Sequence, residues 1–236
     1  MKPLYLAPPV RAHLGSCLRP GGCTLTRRMV DLLSLEPESV VLDAGCGVGA
    51  TLEILRERGL NTVFGLDLEP EFLRQARQQR LPVAQADLGF LPVAVGTIDV
   101  VLAECVWNLT DRKKVLQEFS RVLRQGGSLA ITDIYARPGR MGHRSNVGEW
   151  PMPCCFSQAT DLQSIEGMIS AAGFTVCTVE DHTRHLNQTA AEFVFAYGSL
   201  HGFWQAVTGD SVLAAAACAA AQYTRPGLFL LIARKN

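Results

Sequence analysis

Acidic residues recur where short apolar runs end. Asp43 follows Val40-Val41-Leu42, Asp67 follows the run 62–66, and Asp87 follows 83–86. Glu104 follows 98–103, and Asp133 sits near the end of 129–134. A carboxylate at such a point can cap the next helix or face solvent. Five in succession also suit a row of acceptors along one edge. The first acid opens the turn Asp43-Ala44-Gly45-Cys46-Gly47-Val48-Gly49. Glycines here let the backbone turn sharply and approach a ligand, with the N–H groups of the next helix aimed at it. Gly45-x-Gly47-x-x-Ala50 fits a dinucleotide-binding pattern, which is weak on its own. Asp67 lies where the ribose hydroxyls of a nucleoside cofactor need an acceptor. Together the turn and Asp67 predict such a cofactor.

The elements that must hold these residues alternate regularly. The apolar run at 40–42 reads as a buried parallel strand, and 51–58 as a helix closed by Gly59. A second strand over 62–66 is followed by a helix over 70–80 with Pro70 at its start. Further strands are predicted at 83–86, 98–103 and 129–134, with a helix at 111–123 stopped by Gly126-Gly127. This order implies a doubly wound α/β sheet with right-handed connections. Ligands of such sheets bind beyond the carboxyl ends of the strands, where the acids lie.

After Tyr135 the alternation breaks. Residues 136–158 carry three Pro, three Gly, Trp150 and the pair Cys154-Cys155. A connection this long is usually functional. A helix at 161–172, a strand at 174–180, helical residues over 188–222 broken at Thr208-Gly209-Asp210, and a strand at 228–233 complete the chain. The first 24 residues form a separate segment, in which a Pro-Gly-Gly turn feeds a helix bearing Arg27 and Arg28. The domain division is therefore 1–24 as an N-terminal segment and 25–236 as the main domain, with 136–158 as its long loop.

Composition narrows the function. Basic and acidic residues balance at 22 each, so the basic excess typical of nucleic-acid binders is missing. No stretch reads as a membrane span or a signal peptide, and a cytoplasmic protein is expected. The eight cysteines are scattered, which favours reduced thiols over a disulfide framework. His182-x-x-His185 has no spaced partner to complete a metal site, so none is expected. The oligomeric state is left open.

The motifs as a set are more specific than any one of them. The run 41–49 resembles motif I of class I methyltransferases that use S-adenosylmethionine. The run 65–73 is similar to their second motif, and Gln85-Ala86-Asp87-Leu88 with Leu91-Pro92 to their adenine-contacting segment. The run 99–104 resembles motif IV, and 121–127 the turn before the fifth strand, with Gln125 where many members carry Pro or Lys. The resemblance is nearest to the branch of quinone-biosynthesis and arsenite methyltransferases. It implies a Rossmann-like seven-stranded sheet with the last strand antiparallel and a small helical cap, with 1–24 as an N-terminal lid and 25–236 as the methyltransferase domain, whose substrate loop is 136–158.

The resemblance also implies roles. Gly45, Cys46 and Gly47 would contact the methionine part of the cofactor, with Asp43 nearby. Asp67 would accept from the ribose hydroxyls, Leu68 would pack on the adenine, and Asp87 with Leu88 would bind the adenine edge. Glu104 would stand beside the sulfonium and the substrate entrance. The expected activity is methyl transfer to a small molecule by in-line displacement. Its catalytic candidates are Glu104, His143 and Trp150, with Trp150 and Phe156 holding a partly apolar acceptor. Cys154-Cys155 reads most simply as two buried thiols, and metalloid binding is the rival reading. Two alternatives to the enzyme are a silent cofactor-binding scaffold and a nicotinamide-dependent oxidoreductase.

Overall fold

The computed structural model describes residues 4–137 and 150–236. Seven strands form one sheet in the order β3-β2-β1-β4-β5-β7-β6. They are β1 (Val40–Ala44), β2 (Thr62–Asp67), β3 (Val83–Gln85), β4 (Ile98–Glu104), β5 (Leu123–Ala136), β6 (Phe174–Asp181) and β7 (Pro226–Lys235). β1 to β5 pair in parallel, and β7 runs antiparallel between β5 and β6. The expected seven-stranded sheet with an antiparallel last strand is present.

Helices cover both faces because the strands are apolar on both. Leu42, Ala44, Val101 and Ala103 point to one side, where α5 (Arg112–Val122) and α6 (Leu162–Ala171) supply Val115, Phe119, Ile165 and Ile169. Val41, Val100 and Leu102 point to the other, against α2 (Gly22–Asp31), α3 (Ala50–Glu57) and α4 (Pro70–Gln78). Asp111 and Asp161 start α5 and α6 by accepting from Lys114 and Ser164 backbone N–H groups at 3.2 and 2.8 Å. Side-chain caps of this kind satisfy donors the helix cannot bond itself.

The helical region near the end divides differently from expectation. It begins at α7 (Thr183–Tyr197) and continues as α8 (Leu200–Thr208) and α9 (Ser211–Thr224). The break at 208–210 is present. A second falls at Gly198, whose φ of 74° ends α7, with Ser199 capping α8 through the Gly202 N–H. α8 and α9 join α1 (Pro8–Leu14) and residues 150–154 in a separate apolar cluster of Val10, Trp150, Met152, Phe203, Trp204 and buried alanines. This is the helical cap. The Ala-rich stretch is a packed helix, with Ala214 and Ala217 fully buried.

Candidate functional site

The topology makes a crevice where the chain turns to opposite sides of β1. From β1 the sheet grows outward through β2 and β3, and the other way through β4 and β5. The helices that follow β1 and β4, α3 and α5, pack on opposite faces there, the kind of switch point at which open α/β sheets bind ligands. A cavity of about 1150 Å³ lies at this edge. Gly45, Cys46, Gly47, Asp67, Leu68, Asp87, Leu88 and Glu104 all line it. Of the cofactor-binding residues expected from sequence, Asp43 alone does not; it lies buried behind the turn.

The turn is built by backbone geometry. Gly45 has a φ of 79°, and its N–H donates to the Leu66 carbonyl at 2.7 Å, tying the loop to β2. A Cβ on Gly45 would meet Val106 at 2.5 Å, so the close approach of the β1 and β4 loops requires glycine. Asp67 closes the other side: its carboxylate accepts from the Gly47 and Glu69 N–H groups, both at 2.8 Å. Burial raises the Asp67 pKa, and these backbone bonds oppose the shift. Leu68 is 65% exposed although apolar, which leaves its side chain free to pack on a planar ligand. Asp87 accepts from the Gly89 N–H at 2.8 Å and lines the same cavity. The edge therefore offers in sequence a glycine cradle, a paired carboxylate, an exposed apolar platform and a second carboxylate.

Glu104 is occupied. Its carboxylate pairs with Arg19 Nη2 at 2.8 Å and accepts from Thr51 Oγ1 at 2.8 Å and Thr26 Oγ1 at 3.0 Å. Arg19 also donates to Thr51 at 3.0 Å, to Thr26, and to the Cys17 carbonyl at 2.8 Å. This network joins the N-terminal segment to α2, α3 and β4. Arg19 and Thr26 lie in the N-terminal segment noted from sequence but had no role there, and Thr51 was only part of a helix. The network's charged pair is separated by 85 positions and leaves no periodic trace in the chain.

Behind the turn, Asp43 is 2% exposed and its Oδ2 has no hydrogen-bond partner. Burial, with the nearby Glu104 charge, lifts its pKa to about 8. Asp133, at the end of β5, is structural: it accepts from the Asn108 N–H at 2.9 Å and the Ile134 N–H at 2.8 Å. Its pKa is pushed up to about 7 by burial.

The N-terminal segment forms a wall of the cavity. Leu4 to Pro8 and Ser16 to Arg19 line it, as do Met152, Pro153, Val207 and Leu213 from the cap. One expectation is corrected here: the cysteines are not all free thiols, since Cys17 and Cys23 form a disulfide that brackets Arg19. The Pro20-Gly21-Gly22 turn folds the segment back and brings their Cα atoms to 6.0 Å. Trp150 is 7% exposed, stacks on Phe156 at 4.7 Å and leans on Trp204 at 5.9 Å. It and Phe156 stand behind the wall that Met152 and Pro153 present. His143 lies outside the described residues.

Cys155 meets Cys105 and not only its neighbour Cys154. The Cys105 and Cys155 sulfurs and an Asp133 oxygen all lie within 4.8 Å of one another, buried. Cys105 follows Glu104 directly and lines the cavity. A hydrogen bond to Cys105, together with burial, raises the Cys155 pKa. Among the described residues this is the one group of three or more side chains spaced to ligate an ion, and His182 and His185 are outside it. Sequence spacing pointed to the adjacent cysteines because it could not show β4 and the 150–158 segment converging.

Residues 42–131 match the family described as methyltransferase domain. The chain is 29% identical over 197 residues to the methyltransferase GfsG of Streptomyces halstedii, covering 78% of this chain and 69% of that protein. It is 30% identical over 156 residues to an arsenite methyltransferase of Halobacterium salinarum, covering 60% of this chain but only 38% of that one. The fold matches phosphoethanolamine N-methyltransferase 2 of Haemonchus contortus, solved with S-adenosyl-L-methionine, at a TM-score of 0.74 and 19% identity. That likeness covers 96% of this chain and 56% of the other. With the motifs in register along one sheet edge and the matched stretch spanning them, residues 42–131 are a methyltransferase domain of the class I S-adenosylmethionine-dependent kind.

Proposed function

We propose that this enzyme methylates a small, partly apolar acceptor held between the N-terminal segment and the helical cap. The carrying observation is the continuity of the cavity. It runs from Asp87 and Leu68 past the glycine turn to a wall of Leu4, Tyr5, Leu6, Met152, Pro153 and Leu213. One end suits a nucleoside and the other an apolar molecule. The bound cofactor supplies a methyl group on a sulfonium, already a good leaving group. The protein's task is then to align the acceptor with the methyl and to exclude water. Asp67 and Asp87 would hold the ribose and adenine, Leu68 would pack on the base, and Gly45, Cys46 and Gly47 would border the methionine part. A charge-neutral composition and apolar walls support a small molecule over a nucleic acid.

Glu104 acts in this reading through Arg19 and not on the acceptor. Methyl transfer needs a base only where the nucleophile is weakly acidic. A second reading rests on the Cys105–Cys155 pair. Two buried thiols beside the cavity would bind a thiophilic acceptor, and one similar relative is named for arsenite. Mass spectrometry of turnover with S-adenosylmethionine separates the two. Methylation of apolar metabolites that survives Cys105→Ser supports the first. Methylated arsenic that depends on Cys105 and Cys155 supports the second. Absence of any methylated product with every acceptor class argues for a cofactor-binding scaffold.

A further inference from the structure

The ends of β4 and β5 and the 150–158 segment meet around three buried donor atoms. The sulfurs of Cys105 and Cys155 and an Asp133 carboxylate oxygen lie within 4.8 Å of one another. Several features hold the three residues in place. Cys105 has a φ of 52°, a left-handed backbone that a residue other than glycine keeps only where its surroundings enforce it. Its N–H donates to the Thr132 carbonyl at 2.7 Å, which fixes it against the residue before Asp133. Asn108, fully buried, reaches the other two. Its N–H donates to Asp133 at 2.9 Å, and its Nδ2 donates to the Cys155 carbonyl at 2.8 Å. A second Nδ2 bond, to the Ile134 carbonyl at 2.7 Å, fixes the direction of that amide. Outer-shell hydrogen bonds of this kind orient the ligands of metal sites. The Tyr5 hydroxyl, buried and without a hydrogen-bond partner, belongs to a side chain packed against the cluster that holds both cysteines.

We propose that Cys105, Asp133 and Cys155 bind a thiophilic divalent cation of the zinc class, which staples the 150–158 segment to the ends of β4 and β5. Two thiolates with one carboxylate suit a borderline-soft ion. Zinc with ligands at about 2.0–2.3 Å needs its donor atoms about 3.5–3.8 Å apart. A small rotation of the side chains reaches that from a spacing within 4.8 Å. Asp133 keeps lone pairs for the ion beside the Asn108 and Ile134 N–H groups it already accepts. Binding displaces a proton from each thiol, so two thiolates and a carboxylate around a divalent ion leave one negative charge. Arg112 lies near enough to Asp133 for its charge to offset that remainder. Met152 and Pro153 belong to the stapled segment, so the ion braces the cavity wall they present. The proposal goes beyond methyl transfer and does not depend on the acceptor. It gives the thiol pair to a resident ion, where the second reading above gives it to the acceptor. Asp133 marks the difference, because a soft metalloid would use the sulfurs and leave the carboxylate aside.

Cobalt(II) and zinc, added to the chelator-treated full chain without oxygen, test the site. Cobalt should give a thiolate-to-metal charge-transfer band with the visible bands of a tetrahedral ion, and zinc should displace it. Cys105→Ala and Cys155→Ala should each weaken zinc by more than about 100-fold, beyond the loss typical of an outer-shell residue. Asn108→Ala should weaken it by about 10- to 100-fold as such a residue, and Asp133→Asn by more than about 10-fold. Cys154→Ser, beside the trio, should leave the band and the affinity unchanged. Zinc should raise the melting temperature of the parent and not that of Cys155→Ala. X-ray absorption of the zinc-loaded parent needs no variant and decides the matter if one fails to fold. It should show two sulfur neighbours, with oxygen completing the shell. A parent that binds neither metal, or a bound ion without those two sulfurs, would overturn the site. Zinc affinity unchanged in Asp133→Asn, with arsenite bound equally by both proteins, would overturn it too and give the pair to a thiophilic acceptor.

Discussion

Asp43 holds a proton it would lose in water. Its pKa of about 8 in the folded chain compares with about 4 in an unfolded one. Between those values the folded state binds the extra proton, so this residue's contribution to stability falls as pH rises. The ligand-free melting temperature should therefore decline between about pH 5 and 8, with Asp133, raised to about 7, adding to the same slope. Asp43→Asn should flatten the decline in part; an unchanged slope in a melting series across that range would show that Asp43 ionises normally. Asp67 makes a different prediction. Its carboxylate both faces the cavity and fixes the Gly47 N–H. Asp67→Ala should weaken S-adenosylmethionine by about 1.5–3 kcal/mol, and titration matching the parent would remove it from the ribose site.

The elements divide the labour between cofactor and acceptor. The β1–α3 turn is the proposed cradle of the cofactor. Gly45→Ala combines a left-handed backbone with a clash against Val106, so it should cost both stability and cofactor affinity. In the proposed reading the 150–156 segment borders the acceptor through Met152 and Pro153, with Trp150 and Phe156 behind them. Trp150→Ala would empty a buried stack on Phe156 and Trp204 and should lower stability by about 3–5 kcal/mol. Met152→Ala, at the wall itself, should raise the acceptor KM with little change in cofactor affinity. Steady-state kinetics beside titration checks both, and a Met152 variant with weaker cofactor binding would reassign that wall. How legible these parts were depends on their spacing. The glycine turn and the acids could be read because each ends an apolar run, and parallel pairing in register then lines them up, as Ala44 opposite Ala103 and Asp67 opposite Gln85. The Arg19–Glu104 pair and the Cys105–Cys155 contact could not. Each joins residues about 50 or more positions apart, brought together by the topology and not by any local period. The extra break at Gly198 was hidden for another reason: a lone glycine inside a helical pattern does not by itself announce a left-handed end.

At the scale of the whole molecule, cofactor and stability are linked by mass action. At a hundredfold excess over Kd, S-adenosylmethionine should raise stability by about 2.7 kcal/mol, seen as a higher melting temperature, while NAD should leave it unchanged. A shift with NAD instead would restore the oxidoreductase alternative. The antiparallel strand β7 has a consequence of a different kind. It is the last strand of the sheet in chain order, yet it lies inside the sheet, between β5 and β6. During synthesis β6 therefore emerges before it has a strand to pair with, and α7, α8 and α9 must follow it before its neighbour exists. The parallel half, β1 to β5, can form while translation continues, but β6 waits for residues 226–235, and β5 keeps one open edge until the same moment. A ribosome stalled before Pro226 should hold a nascent chain with a protease-resistant N-terminal half and a cleavable β6 region. Closing that interior gap, a pairing across most of a hundred residues from β5 to β7, is the kind of long-range step that slows folding, and it makes the final strand the keystone of the sheet.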